Sequence, residues 1–213
     1  MKIIGITTRI LTNEIDQKIE KVPHSLINKI TNCGAIPIII PFTDKEKLIE
    51  IVNLCDGFVI PGGNTWHVLD EIIINYAIKN DKPLLGICAG MQALGNIHNF
   101  CGTNDSDQSV LINSKINHYD SKHEYVHDVN ITGSLMKKIL HKDSIQVNSR
   151  HHYKIEKYPY YNVEALSSDG IIEAISFPNK KFILGVQWHP EDLNDENSER
   201  LFEYFINIIL TMF

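Results

Sequence analysis

Residues 84–92 read Leu-Leu-Gly-Ile-Cys-Ala-Gly-Met-Gln, an apolar strand pattern that passes through a Gly-x-Cys-x-Gly core into a helix pattern. This context is typical of a nucleophile elbow, in which the reactive residue sits on a sharp turn after a strand. The two glycines fit such a turn because a tight strand-to-helix crossing leaves no room for side chains beside the nucleophile. The stretch predicts an α/β fold with Cys88 at the end of a strand.

Short apolar runs predict further strands on both sides of this elbow. They cover residues 2–7, 36–40, 57–60, 83–87, 126–131, 145–148, 163–167, 171–176 and 182–187. Helix patterns cover residues 22–33, 44–53, 65–79, 89–97, 135–140 and 198–210. This alternation predicts one domain over residues 1–213, a three-layer, doubly wound and mostly parallel sheet with helices on both faces.

Local signals set some of the predicted boundaries. Gly34 is suited to a left-handed cap after the first helix, and Thr43 with Glu46 forms a capping box for the second. Residues 101–125 are polar and rich in Ser, Asn and Asp, which predicts a long loop or a short irregular hairpin.

The composition excludes several classes of protein. Lys and Arg total 20 against 26 Asp and Glu, so the net charge of −6 offers no basic face for nucleic acid or an anionic membrane. The N-terminal segment turns polar too soon for a signal peptide, and no apolar stretch approaches the roughly 20 residues that span a bilayer. The four cysteines have no C-x-x-C spacing. We therefore expect a cytoplasmic protein.

A second motif follows the last apolar run, where residues 185–191 read Gly-Val-Gln-Trp-His-Pro-Glu. Pro190 favours an extended conformation for the preceding residue, and side chains two apart in extended backbone share a face. His189 and Glu191 can therefore project together, and with Cys88 they form the nucleophile–base–orienter order of covalent acyl transfer. Cys88 alone could equally be a small buried hydrophobic residue, but the second motif favours catalysis.

An oxyanion hole is the remaining element of such a site. The turn Pro61-Gly62-Gly63 follows a predicted strand, and its Gly62 and Gly63 N–H groups can approach a reacting carbonyl closely. The N–H of Ala89, directly after the nucleophile, would face the same oxygen.

Together these motifs resemble the class I glutamine amidotransferase superfamily, which has a flavodoxin-like fold. Two further segments are similar to its γ-glutamyl-γ-aminobutyrate hydrolase branch. His127-Asp128-Val129 resembles the branch motif His-x-Val, and residues 147–152, Val-Asn-Ser-Arg-His-His, resemble Val-Asn-Ser-x-His.

The resemblance implies a role for each matching position. Cys88 is implied as the nucleophile, His189 as the general base and acid, and Glu191 as the orienting carboxylate. The implied substrate contacts are Gln92, Asn148, Ser149 and His151. The implied reaction is hydrolysis of the γ-glutamyl amide of a small compound through a glutamyl thioester, with no metal or organic cofactor.

The chain departs from this branch near the predicted leaving-group side. Residues 64–67 run directly into a helix pattern, without the longer acidic and proline-containing loop common in the branch. Ala89 replaces a frequent Arg, and Tyr153 replaces a frequent Gln. An alternative is therefore a glutaminase subunit that supplies ammonia to a separate synthetase partner. A binding module on an inactive fold is a third interpretation, and a homodimer also remains open.

Three histidines in the polar region also suggest metal ligands. His118, His123 and His127 are spaced by five and four residues, which does not fit one helical face, and no cysteine accompanies them. A solvated loop is therefore the favoured interpretation, with no metal site. The other cysteines, Cys33, Cys55 and Cys101, lack an elbow and are expected to be structural.

Overall fold

The structure is a computed structural model that describes residues 2–99 and 110–211. Its strands are β1 (Ile3–Thr7), β2 (Arg9–Thr12), β3 (Lys18–Lys21), β4 (Ile36–Ile40), β5 (Gly57–Ile60), β6 (Leu84–Ile87), β7 (Val110–Leu111), β8 (Tyr119–Asp120), β9 (His127–Ile131), β10 (Ser144–Val147), β11 (Ser149–Arg150), β12 (Tyr153–Lys154), β13 (Asn162–Ser167), β14 (Ile172–Ser176) and β15 (Ile183–Val186). Its α-helices are α1 (His24–Asn32), α2 (Lys45–Asn53), α3 (Val68–Asn80), α4 (Ala89–Gly95), α5 (Ser134–Leu140) and α6 (Glu196–Leu210).

Nine strands form the central sheet in the order β10-β9-β13-β14-β15-β6-β5-β1-β4. The strands from β15 to β4 are parallel to one another, and those from β10 to β14 extend the sheet in antiparallel pairs. Every residue of β5, β6 and β15 is buried, as expected for parallel strands covered on both faces. The predicted doubly wound α/β fold is confirmed.

Helices cover the two faces of the sheet in separate hydrophobic clusters. Buried residues of α1, α5 and α6 pack in one cluster, which includes Leu26, Met136 and Phe205. Buried residues of α2, α3 and α4 pack in the other, which includes Leu48, Ile73 and Leu94. Each cluster lies between the sheet and one layer of helices, so the structure has the predicted three layers.

Two helix boundaries differ in an informative way from the sequence expectations. Gly34 has the expected left-handed backbone, with φ at 84°. The capping box of Thr43 and Glu46 is wrong, because Asp44 is the N-cap of α2 and its carboxylate accepts from the Lys47 N–H at 3.0 Å. Helix α3 begins at Val68, three residues later than predicted.

The sequence patterns did not indicate the hairpin of β2 and β3. These strands pair in a separate two-stranded sheet, and the turn between them is held by Asn13, whose Oδ1 accepts from the Ile15 and Gln17 N–H groups. All of β3 is exposed, so it lacks the alternating apolar pattern by which such a strand is recognised.

The polar region 101–125 is only partly described, and Cys101 lies outside the described residues. In the described part, β7 pairs with β12 and β8 pairs with β11. The region therefore contributes two short strands that lie against the segment around residue 151. Among residues 2–99 and 110–211, no helix combines the length and apolar character needed to cross a membrane.

Candidate active site

Cys88 occupies the sharp turn between β6 and α4. Its backbone has φ at 50° and ψ at −106°, a conformation that is unusual for a residue other than glycine. The turn is tightly packed, because a Cβ atom on Gly90 would lie 2.3 Å from the carbonyl oxygen of Ile60. The Cys88 N–H donates to the Val186 carbonyl oxygen at 2.8 Å, which fixes the elbow against β15. Backbone strain of this kind is common at functional sites.

His189 and Glu191 are in contact just after β15. His189 Nδ1 lies 2.8 Å from Oε1 of Glu191, and both side chains are largely buried. The contact arises in a short 3₁₀ turn, Pro190–Asp192, and not in the extended backbone that the sequence suggested. Pro190 stands at the first position of this turn, where its fixed φ is favourable.

The imidazole of His189 connects Glu191 to Cys88. Because Nδ1 faces Glu191, Nε2 is left for the Cys88 side chain, which lies beside the imidazole at the Gly62 turn. Burial alone would lower the pKa of His189, but negative charge on Glu191 and Cys88 outweighs it and raises the pKa to about 10. The imidazolium form is therefore favoured near neutral pH, and such a cation stabilises a neighbouring thiolate.

The glycine turn after β5 approaches this pair closely. A Cβ atom on Gly62 would lie 2.5 Å from His189 Cε1 and 3.3 Å from Cys88 Cβ, so the approach requires a residue without a side chain. Gly63 lines the same cavity as Cys88. Ala89 begins α4, where the first N–H groups have no acceptor within the helix. The three positions predicted for an oxyanion hole therefore lie close to Cys88.

Arg9, which the sequence patterns did not single out, holds this glycine turn. Its guanidinium donates to the carbonyl oxygens of Pro61 and Gly62 and forms a buried ion pair with Asp70 at 2.8 Å. Asp70 in turn accepts from the His67 N–H at the start of α3. The one available signal was an arginine shortly after the first buried strand, at the edge where such sheets carry their sites.

Asn148 and Ser149 make their hydrogen bonds to protein backbone. The Asn148 amide donates to the His189 carbonyl oxygen and accepts from the His189 N–H, both at 2.8 Å. The Ser149 hydroxyl donates to the His118 carbonyl oxygen at 2.7 Å. The structure therefore does not bring these two predicted substrate contacts to the cavity beside Cys88. Asn148 instead supports the backbone that carries the imidazole.

A cavity of about 310 Å³ opens beside Cys88. Gln92 and His151, the other two predicted substrate contacts, both line it. Another wall is formed by Tyr119 and His152, whose rings stack with their centroids 4.2 Å apart. The sequence did not indicate this aromatic wall, since Tyr119 lies in the polar region that was expected to be a long loop or a short irregular hairpin.

A second cavity of about 560 Å³ is bordered by His189 and Glu191. Three basic residues, Arg9, Lys21 and Arg150, also line it. Gly63, Asn64 and Arg150 border both cavities, so the two spaces meet at these residues. The cleft therefore has one compartment on each side of residues 63–64.

The three histidines of the polar region do not share one environment. His123 is exposed and contacts Asp120, as expected for a solvated loop. The side chains of His118 and His127 are instead only 2% and 5% exposed, so the solvated-loop interpretation is wrong for these two. The reason is that β8 pairs with β11 and β9 pairs with β13, so this region packs against other strands.

The other described cysteines are poorly suited to nucleophilic chemistry. Burial raises the pKa of the Cys33 thiol and raises that of Cys55 to about 11. Both residues are therefore protonated near neutral pH. Among the described cysteines, Cys88 combines an elbow with an adjacent histidine that contacts a carboxylate.

Comparisons with known proteins agree with these motifs. A family model described as Peptidase C26 matches residues 2–69 and 65–191. The chain is 30% identical to the γ-glutamyl-γ-aminobutyrate hydrolase PuuD of Escherichia coli, over 84% of this chain and 83% of that protein. It is also 30% identical to the CTP synthase of Lactobacillus johnsonii, over 76% of this chain and 35% of that protein.

The fold has a close structural counterpart. The glutaminase domain of Trypanosoma brucei CTPS, solved with bound acivicin, matches with a TM-score of 0.72 at 19% identity. The match covers 100% of this chain and 95% of that chain. The family model spans the elbow and the His-Pro-Glu segment as well as the first strands. The chain therefore belongs to the Peptidase C26 family of class I glutamine amidotransferase-like proteins.

Proposed function

We propose that this protein hydrolyses the γ-glutamyl amide bond of a small γ-glutamyl compound through a thioester on Cys88. The family and its γ-glutamyl-γ-aminobutyrate hydrolase relative support a hydrolase. The finer proposal rests mainly on the position of Cys88 and the His189–Glu191 pair together beside the glycine turn. A thiol nucleophile with an oriented base is what covalent acyl transfer requires.

In the acylation step, the Cys88 thiolate attacks the γ-carbonyl carbon of the substrate. A C–S bond forms, and the carbonyl π electrons move to oxygen, where N–H groups of Ala89 and of the 62–63 turn stabilise the charge. The intermediate then collapses, the C–N bond breaks, and His189 Nε2 gives its proton to the departing amine. The products of this step are the free amine and a γ-glutamyl thioester.

In the deacylation step, water replaces the amine. Neutral His189 accepts a proton from this water as its oxygen attacks the thioester carbonyl. Collapse breaks the C–S bond and returns the Cys88 thiolate beside the His189 imidazolium. Glu191 keeps Nδ1 protonated and oriented in both steps. These steps use side chains, backbone N–H groups and water, so they call for no metal or organic cofactor.

The two compartments of the cleft suggest where each half of the substrate binds. In this proposal the γ-glutamyl group occupies the cavity with Gln92 and His151, because Cys88 opens into it. The amine half then extends past residues 63–64 toward the cavity bordered by His189, which must protonate it. A reducing cytoplasm would keep the thiol in its active form.

The alternative is a glutaminase that passes ammonia to a separate synthetase partner. The 30% identity to a CTP synthase favours this alternative, and the match covers 35% of that synthase's length. The short connection at residues 64–67 also fits this alternative, since it leaves the amine side of the cleft less enclosed than a longer loop would.

Purified protein tested against γ-glutamyl amides and glutamine separates the two activities. The proposal predicts amine release from at least one γ-glutamyl amide by the isolated protein, with glutamine a poor substrate and Cys88→Ala inactive. Glutamine hydrolysis that appears only when cell extract is added would favour the partner-dependent glutaminase. A Cys33→Ala variant is the matched control, and it should retain full activity.

A further inference from the structure

Three histidines and one glutamate meet in the protein interior, and we call them the His3Glu cluster. Exposure of the side chains is 2% for His118, 5% for His127, 1% for His151 and 0% for Glu173. One potential ligand atom from each residue lies within 4.8 Å of the other three. The steps proposed for Cys88 give these four atoms no role.

The outward nitrogen of each histidine already has a hydrogen-bond acceptor. His118 Nε2 lies 3.0 Å from the Asp169 carboxylate, His127 Nδ1 lies 3.3 Å from the Asp128 carbonyl oxygen, and His151 Nδ1 lies 3.0 Å from the Tyr153 carbonyl oxygen. Because these oxygens accept hydrogen bonds, each neutral ring carries its N–H on the outward side. The three inward nitrogens therefore present lone pairs.

The ligand atoms that face the centre of the cluster are all acceptors, and each needs a hydrogen-bond donor or a cation as its partner. His118 Nδ1, His127 Nε2, His151 Nε2 and both carboxylate oxygens of Glu173 are buried without a hydrogen-bond partner among the described residues. A buried carboxylate without a partner is costly, and this one faces three acceptor nitrogens. A positive charge at the centre, supplied by a metal ion or by protons, would resolve the conflict.

The distances within the cluster fit a metal ion better than direct hydrogen bonds. Glu173 Oε1 lies 3.4 Å from His118 Nδ1 and 3.7 Å from both His127 Nε2 and His151 Nε2. Charge-assisted N–H···O bonds are shorter, about 2.7–2.9 Å. Ligand atoms about 2.1 Å from a tetrahedral zinc ion are roughly 3.4 Å from one another.

We propose that the His3Glu cluster binds one divalent transition-metal ion, for which zinc is the best match. Three imidazole nitrogens and one carboxylate oxygen are donors that zinc accepts, whereas calcium and magnesium favour oxygen ligands throughout. The outward hydrogen bonds to Asp169 and to two backbone carbonyls resemble those that orient metal-binding histidines in other proteins.

The metal ion at this position is structural. Four protein ligands complete a tetrahedral zinc site and leave no position for a substrate. The ion joins residues near β8, at the start of β9, between β11 and β12, and in β14. Two of these residues adjoin the cavity wall, because Tyr119 follows His118 and His151 lies in the wall itself. Metal loss would loosen this wall and leave the chemistry of Cys88 in place.

Protons are the competing source of charge. Burial lowers the pKa of His118, but the nearby Glu173 and Asp169 carboxylates outweigh burial and raise it. A protonated His118 on Glu173 would partly satisfy the cluster without a metal. The two states differ in metal content and in the protonation of the ring nitrogens, so both can be measured directly.

The test uses the full chain, stripped with a chelator, reloaded with Zn²⁺ or Co²⁺, and freed of excess metal by gel filtration. We expect one metal ion per chain, a higher Tm after zinc loading, and the intense visible absorption of tetrahedral Co²⁺ without a thiolate charge-transfer band. None of these readouts depends on catalytic activity, so the result is independent of the proposed hydrolase function.

Three variants locate the site. Glu173→Gln should weaken zinc binding by about 100-fold or more, whereas His123→Ala, an exposed histidine of the same region, should bind like wild type. His189→Ala should also bind normally, which excludes the other group of potential ligands, His189, Glu191 and Asp192.

Two results would overturn the proposal. One is reloaded wild-type protein that retains no metal and shows a protonated His118 ring by NMR. The other is metal binding that His189→Ala removes and Glu173→Gln leaves intact. The wild-type Co²⁺ spectrum decides the matter even when Glu173→Gln does not fold.

Discussion

In the candidate active site, His189 lies between Glu191 and Cys88 and interacts electrostatically with both. Its Nδ1 contact with Glu191 fixes the ring and directs Nε2 toward Cys88. Because negative charge on both neighbours overcomes the effect of burial, the raised pKa of His189 preserves the imidazolium well above neutral pH. Removing the charge of Glu191 should therefore change the pH range in which the thiol reacts.

Glu191→Gln should move the alkaline limit of activity to lower pH. The substitution removes one of the charges that raise the pKa of His189, so the imidazolium loses its proton at a lower pH than in wild type. The measurement is kcat/KM against pH with a chromogenic γ-glutamyl anilide. An alkaline limit that stays in place would show that Glu191 does not control the imidazole.

His189→Ala should reduce activity more than Glu191→Gln does. It should lower kcat/KM by roughly 10³-fold or more, because it removes both the base and the acid, whereas Glu191→Gln should cost less. Nearly wild-type activity in His189→Ala would mean that another group is the base.

At the scale of elements, the site is made by the turns that follow β5, β6 and β15. Two side chains from other elements hold these turns in place. Arg9 of β2 binds the carbonyl oxygens of the turn after β5, and Asn148, after β10, binds the backbone after β15. Both should affect catalysis through the position of other groups.

Arg9→Lys should lower kcat by about 10- to 100-fold with a smaller change in KM. Lysine keeps the charge opposite Asp70 but cannot bind both carbonyl oxygens of the glycine turn with a planar fork. Steady-state kinetics and a thermal melt separate this effect from simple destabilisation. Unchanged kcat in a folded Arg9→Lys protein would contradict the positioning role.

Asn148→Ala should lower kcat more than it raises KM. The variant leaves the buried His189 N–H without its side-chain acceptor and the His189 carbonyl oxygen with the Asp192 N–H as its remaining partner, which costs about 1–3 kcal/mol and frees the imidazole to shift. A substrate contact would show the opposite pattern, a raised KM with kcat preserved. Gln92→Ala, at the cavity, is the comparison expected to raise KM.

The elements that build the sheet could be predicted because their signals are local. β5 and β6 are short apolar runs bounded by Gly or Pro, and the Gly-x-Cys-x-Gly stretch specifies its own turn. The hairpin of β2 and β3 lacks such a signal, since its second strand is exposed and its turn has no glycine. The α2 cap was misplaced by one residue because adjacent Thr43 and Asp44 can both cap.

At the scale of the whole molecule, the features that sequence reasoning missed are contacts between distant residues. Arg9 and Asp70 are separated by 61 positions, and His118 and Asp169 by 51. Hydrophobic periodicity describes neighbouring residues and does not bring such distant residues together. The sequence around a histidine therefore does not tell whether it lies in a buried cluster or in a solvated loop. The proposed catalytic residues could be singled out from the sequence only because each lies in a motif with its own backbone signal.

The most direct test of the central claim, that Cys88 is the nucleophile, is labelling with a diazo-ketone that mimics glutamine. The account predicts one label per chain on the peptide that contains Cys88, loss of activity in proportion to labelling, and protection by a γ-glutamyl amide. Label spread over Cys33, Cys55, Cys88 and Cys101, or full activity after complete modification of Cys88, would contradict it.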